Sequence, residues 1–133
     1  MNKEELIALA KEETKRSYSP YSHFAVGAAL LTKDNKVFLG TNIENAAFGL
    51  SMCAERNAIF NAYINGVKKD EIVALAIIAD TEDPVSPCGS CRQVLSELFP
   101  KNGKIYLANF KGDIKETNIV ELLPYSFSKD DLN

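Results

Sequence analysis

The eight residues Ile72–Ala79 read IVALAIIA. A strand with one wet face alternates apolar and polar residues, and this run does not. It therefore predicts a strand buried on both faces, inside a sheet covered by helices. Downstream, a loop holding Pro84 and Pro87 leads into a helix from about Cys88 to Phe99, stopped by Pro100. KIYLANF (Lys104–Phe110) is the next strand. Strand, helix and strand in succession favour a right-handed parallel crossover. Lys111-Gly112-Asp113 then turns the chain into a last edge strand, and IVELLP (Ile119–Pro124) is a short helix before a polar tail.

Upstream lies a helix from about Met52 to Ile64, ended by Asn65-Gly66. Before it, FAVGAALLT (Phe24–Thr32) and KVFLGTN (Lys36–Asn42) flank the turn signal Lys33-Asp34-Asn35 and read as an antiparallel hairpin. The chain opens with an amphipathic helix over Lys3–Arg16. Asn2 is placed to cap it, Glu5 follows three residues later, and Leu6, Leu9 and Ala10 form its apolar stripe. Pro20, in YSPYS, cannot continue it. The order α-β-β-α-β-α-β-β-α predicts an α/β fold with a five-stranded mixed sheet.

At 133 residues the chain is long enough to bury a proper core as one domain, residues 1–133. Its 46% hydrophobic and 25% charged residues place it among globular proteins. The net charge is −3, and Lys68-Lys69 is the only adjacent lysine pair, so no basic stripe speaks for nucleic acid. No apolar run is long enough to cross a bilayer. The start, MNKEELIALAKEE, has no signal-peptide h-region, and three cysteines are an odd number. Reduced thiols in the cytoplasm are the expectation.

All three cysteines fall where the chain enters a helix: Cys53 in SMCAERNAIF (Ser51–Phe60), Cys88 and Cys91 in SPCGSCRQVLSELF (Ser86–Phe99). The partial positive charge of a helix N-terminus favours thiolate, the form that binds zinc. Cys88 and Cys91, three apart, can share one helical face, and Cys53 would supply a third ligand. Three protein ligands leave one tetrahedral position open, as catalytic zinc requires. Glu55, two residues after Cys53, can stand near the ion without coordinating it and exchange protons with a zinc-activated water. Three thiolates leave zinc with a formal charge of −1, which weakens it as a Lewis acid. Arg56 can draw charge off the sulfurs.

Three other readings use the same residues. The cysteines can be core fillers, or Cys88 and Cys91 can form a thioredoxin-like redox pair, which leaves Cys53 and Glu55 without a role. A closed structural zinc site would take His23, the only histidine, as its fourth ligand.

CAER (Cys53–Arg56) together with PCGSCRQ (Pro87–Gln93) resembles the zinc nucleoside deaminases, whose signature pairs His-x-Glu or Cys-x-Glu with Pro-Cys-x-x-Cys. Cysteine as the first ligand and NIEN (Asn42–Asn45) make the chain similar to the homotetrameric cytidine deaminases. The similarity runs from YSPYSHFAVGAAL (Tyr18–Leu30) to LLPYSFS (Leu122–Ser128). It implies a three-layer α/β/α cytidine deaminase-like fold, with one Zn²⁺ per subunit held by Cys53, Cys88 and Cys91 and Glu55 as proton shuttle. It implies that Phe24 packs on the pyrimidine, Asn42 and Glu44 bond the ribose, and the backbone near Ala54 and Ser86 reads the base. Ala46 and Phe48 would serve a neighbouring subunit's site, and Phe127 would close over the base. The implied activity is conversion of cytidine and 2′-deoxycytidine to the uracil nucleosides and ammonia. Deamination of another aminopyrimidine, such as blasticidin S, is the alternative, against which NIEN argues. Many relatives carry tyrosine where this chain has Phe48.

Overall fold

A computed structural model of the chain describes residues 1–132. The first helix, α1, spans Lys3–Glu13. The Asn2 side chain accepts from the Glu5 amide at 2.8 Å, and the Glu5 carboxylate accepts from the Asn2 amide at 3.2 Å. Two otherwise orphaned donors are thereby satisfied. The last expected turn, Thr14–Arg16, tightens into a 3₁₀ turn.

The hairpin consists of β1 (Val26–Thr32) and β2 (Val37–Thr41), antiparallel, with Gly27 opposite Thr41 and Leu31 opposite Val37. β1 begins two residues later than its apolar pattern suggests. The Asn42 side chain accepts from the Val26 amide at 2.9 Å and donates to the Phe24 carbonyl at 2.7 Å. A side chain thus replaces the ladder there.

Helix α2 (Ala54–Ile64) ends with Asn65 and a left-handed Gly66, whose amide returns to the Tyr63 carbonyl. The apolar run is β3 (Ile72–Ala79), as expected. Helix α3 (Gly89–Leu98) crosses over to β4 (Lys104–Asn109), parallel to β3. β5 (Ile114–Thr117) pairs antiparallel with β4, and α4 (Ile119–Leu122) follows. The sheet order is β2-β1-β3-β4-β5. No helix among the described residues is long and apolar enough to cross a membrane.

β3 explains the three layers. Its Leu75, Ile77 and Ala79 join Ala58, Ile59 and Ala62 of α2, Leu95 of α3 and Ile119 of α4 in one core. Its Ala74, Ala76 and Ile78 join Leu6 and Ala10 of α1 in the other. The five-stranded mixed sheet with helices on both faces is the expected α/β/α architecture.

Two glycines set how closely the helices approach. A Cβ at Gly27 would overlap the Ala10 carbonyl of α1, and one at Gly40 would overlap the Ala54 carbonyl and Ala58 amide of α2. Backbone cannot swing away as a flexible side chain can. Gly40→Ala is expected to destabilise the fold by about 1–3 kcal/mol, the usual range for overpacking. Denaturant titration checks this, and a midpoint equal to that of the native chain would refute it. α2 carries its catalytic candidates directly above Gly40, so this contact also sets the height of the site over the sheet.

Candidate active site

Four segments meet at one end of the sheet. The approach to β1 brings Tyr21, Ser22 and Phe24, and the exit from β2 brings Asn42, Glu44 and Asn45. The start of α2 brings Cys53, Ala54 and Glu55, and the loop after β3 brings Val85, Ser86 and Cys88. With Val26, Phe48, Ser51 and Met52 they line a cleft of about 490 Å³, within the range of small-molecule sites.

Cys53 is the N-cap of α2 and Cys88 the N-cap of α3, and neither spends its side chain on capping. Both sulfurs are therefore free at the positive ends of two helices. The Sγ atoms of Cys53 and Cys88 lie 3.8 Å apart, and those of Cys88 and Cys91 3.3 Å apart. All three lie within 4.8 Å of one another. These are free thiols, so Cys88 and Cys91 are not joined as a redox disulfide. In a tetrahedral thiolate site with Zn–S of ~2.3 Å, sulfurs stand about 3.8 Å apart. The donor set and its spacing fit zinc. Among the described residues no histidine belongs to this group. His23 sits in a left-handed turn with its amide on the Ser19 carbonyl, so the closed four-ligand site is not formed.

The electrostatics match that use. The Cys53 thiol is pulled down to about 5 by a hydrogen bond from Cys91, with Arg56 and Cys88 helping against the opposing effect of burial. The shared proton and burial push Cys91 up. Cys91 is fully buried beneath the cleft, whereas Cys88 is exposed to it. Arg56 donates from Nη2 to Cys53 Sγ at 3.3 Å, as expected of a cation that withdraws charge from the sulfurs.

Glu55 is only 4% exposed, yet it lines the cleft beside Cys53 and Cys88. Burial pushes its carboxyl upward, and the Cys53 charge adds to the shift. A carboxyl so placed holds a proton more readily than one in water and is suited to passing it on.

The polar wall is built in advance. Asn42 is occupied by Val26, Phe24 and the Ser17 hydroxyl, the last at 2.7 Å. Glu44 accepts from the amides of Tyr21 and Ser22 at 3.0 and 3.1 Å, and from the Ser22 hydroxyl. The Ser22 hydroxyl holds the Glu44 carboxyl below its ordinary range; desolvation opposes it, and the two amides add to the lowering. It is a fixed acceptor facing the cleft. Asn42 positions Phe24, which the sequence pattern did not disclose.

Of the residues singled out in the sequence, Phe24, Asn42, Glu44, Phe48, Cys53, Ala54, Glu55, Ser86 and Cys88 reach the cleft. Ala46 and Phe127 do not line it. Phe48 is 90% exposed, and the Phe127 carbonyl accepts from Gln93 at 3.0 Å. Sequence reasoning missed Tyr21, Ser22, Val26, Asn45, Ser51, Met52 and Val85. Met52 comes to the wall because it exchanges two backbone hydrogen bonds with Ile43, at 2.9 and 2.8 Å.

Residues 1–107 match the cytidine and deoxycytidylate deaminase zinc-binding region. The chain is 51% identical over 133 residues to a cytidine deaminase of Halalkalibacterium halodurans, covering 100% of this chain and 99% of that one. It is equally 51% identical to a cytidine deaminase of Sporosarcina psychrophila, covering 100% of this chain and 96% of the relative. A crystal structure of cytidine deaminase from Burkholderia pseudomallei superposes with a TM-score of 0.93 at 46% identity, over 96% of this chain and 100% of that one.

Proposed function

Because the chain belongs to the cytidine and deoxycytidylate deaminase zinc-binding family, we propose that it hydrolyses cytidine and 2′-deoxycytidine to uridine and 2′-deoxyuridine plus ammonia. The observation that carries this reading is the convergence of three thiols and one buried carboxyl at a nucleoside-sized cleft.

Cys53, Cys88 and Cys91 would hold one Zn²⁺ per subunit. When bound, zinc supplies the acidification of a water molecule, whose pKa it can bring from 15.7 to about 7. Glu55 takes a proton from the water that adds to C4 of the pyrimidine and delivers it to N3. It then carries the second proton to the departing amino group, so that water and cytidine leave as uridine and ammonia. Burial of Glu55 keeps bulk water from competing for those protons.

Phe24 packs on the ring, Asn42 and Glu44 hold the sugar, and the backbone at Ala54 and Ser86 reads the carbonyl and amino groups of the base. Each of these lines the cleft, which supports the assignment. We assign Ala46 and Phe48 to the site of a neighbouring subunit in a homotetramer, and Phe127 to closure over the base. The exposure of Phe48 and Leu50 beside the cleft supports such a contact. The enzyme is taken to be one deaminase domain over residues 1–133, in the cytoplasm, serving pyrimidine salvage.

A substrate panel of cytidine, 2′-deoxycytidine, CMP and blasticidin S tests the specificity. A 5′-phosphate near Glu44 sets like charges together, so cytidine is expected to exceed CMP by about a hundredfold or more in kcat/KM. Comparable rates, or preference for blasticidin S, would overturn the sugar assignment.

Arg56 gives a second test. Arg56→Ala is expected to lower kcat by about 10–100-fold, the usual effect of removing a partner of a metal ligand. Zinc content should fall much less, since the three sulfurs remain. Unchanged kcat alongside unchanged zinc would remove Arg56 from the mechanism.

A further inference from the structure

Arg92 follows Cys91 on α3, and every part of its guanidinium is engaged. Nε donates to the Pro87 carbonyl at 2.9 Å, Nη1 to the Leu122 carbonyl at 2.7 Å, and Nη2 to Ser86 Oγ at 2.7 Å. Two acceptors lie immediately before Cys88, and the third is the end of α4. Pro87 has no N–H to donate. Among the described residues, Ser86 and Pro87 have no hydrogen bonds other than those from Arg92. Gln93, the next residue, ties the Phe127 carbonyl to the same helix.

We propose that Arg92 is the positioning residue of the Ser86–Cys88 segment, fixing Ser86 at the cleft wall and Cys88 at the thiol cluster by tying both to the C-terminal segment. Ser86 and Cys88 both face the cleft, and no ladder holds either one. A planar fork can reach three acceptors at once in fixed directions, which a lysine ammonium cannot do. The consequence for the reaction rests on the cytidine deaminase reading, whereas the effect on the thiol cluster does not.

The test uses the full chain with Arg92→Ala and Arg92→Lys, kinetics on cytidine, thermal melting, and the thiolate absorption of the cobalt(II)-loaded protein. Both variants are expected to lower kcat/KM about a hundredfold, the effect typical of misplacing a reacting pair by an ångström. KM should rise, and the cobalt absorption should shift as Cys88 moves. Added guanidinium ion should partly restore Arg92→Ala and leave Arg92→Lys unchanged.

A kcat/KM within a few fold of the native value and an unshifted cobalt spectrum would overturn the proposal. So would a loss that tracks the melting temperature alone and ignores guanidinium. If the alanine variant does not fold, the lysine variant decides by the same kinetics and spectrum. If the native protein leaves cytidine untouched, the deaminase reading fails, and the cobalt spectra alone decide the role of Arg92.

Discussion

Glu55→Gln is expected to abolish most turnover while leaving zinc in place. The amide keeps the shape of the carboxyl but can neither accept a proton nor hand one on. General acid–base help typically supplies ~10²–10⁴ in rate, and Glu55 serves both proton transfers, so the loss should reach at least the upper end. Because Glu55 is not among the three grouped donors, metal analysis should still find zinc close to the native content. The measurement is kcat beside zinc content on the same preparation. Loss of both together would make Glu55 a determinant of metal binding, and retention of both would exclude it as the proton shuttle.

Cys91→Ala should have the opposite signature, with zinc and activity disappearing together. Cys91 is fully buried and contributes the sulfur nearest Cys88. Without it two thiols remain, too few to hold zinc against a chelator. Helix α3 should persist, since Leu95 and Phe99 anchor it in the core, so circular dichroism should stay close to native. Activity should be undetectable, and added zinc should not restore it. In the native chain, removal of metal by a chelator should abolish activity, and zinc should restore it. A Cys91→Ala protein with full zinc and native kcat would refute the three-thiol assignment.

The two predictions rest on residues whose pattern is visible along the chain. IVALAIIA identifies a doubly buried strand because burial on both faces leaves no room for polar alternation. Cys53, Glu55, Cys88 and Cys91 are visible because helix starts in a crossover fold bring short motifs to one end of a sheet. What the pattern hides is side chains acting on distant backbone. Asn42 reads as the last residue of a strand, yet it starts β1 by bonding Val26 and Phe24. Arg92 reads as a polar helix position, yet it holds Leu122, 30 residues away. Hydrophobic periodicity reports which face is buried and carries no information about such bonds. The cleft walls at Asn45, Ser51, Met52 and Val85 belong to loops, where periodicity is silent.

The decisive measurement is the ultraviolet spectrum of cytidine after addition of the zinc-loaded chain, run beside Glu55→Gln. The native protein should convert cytidine to uridine and release one ammonia per nucleoside, and the variant should leave the spectrum nearly unchanged. An unchanged spectrum with the native protein, its zinc content verified, would contradict the assignment of the thiol cluster and Glu55 to cytidine deamination.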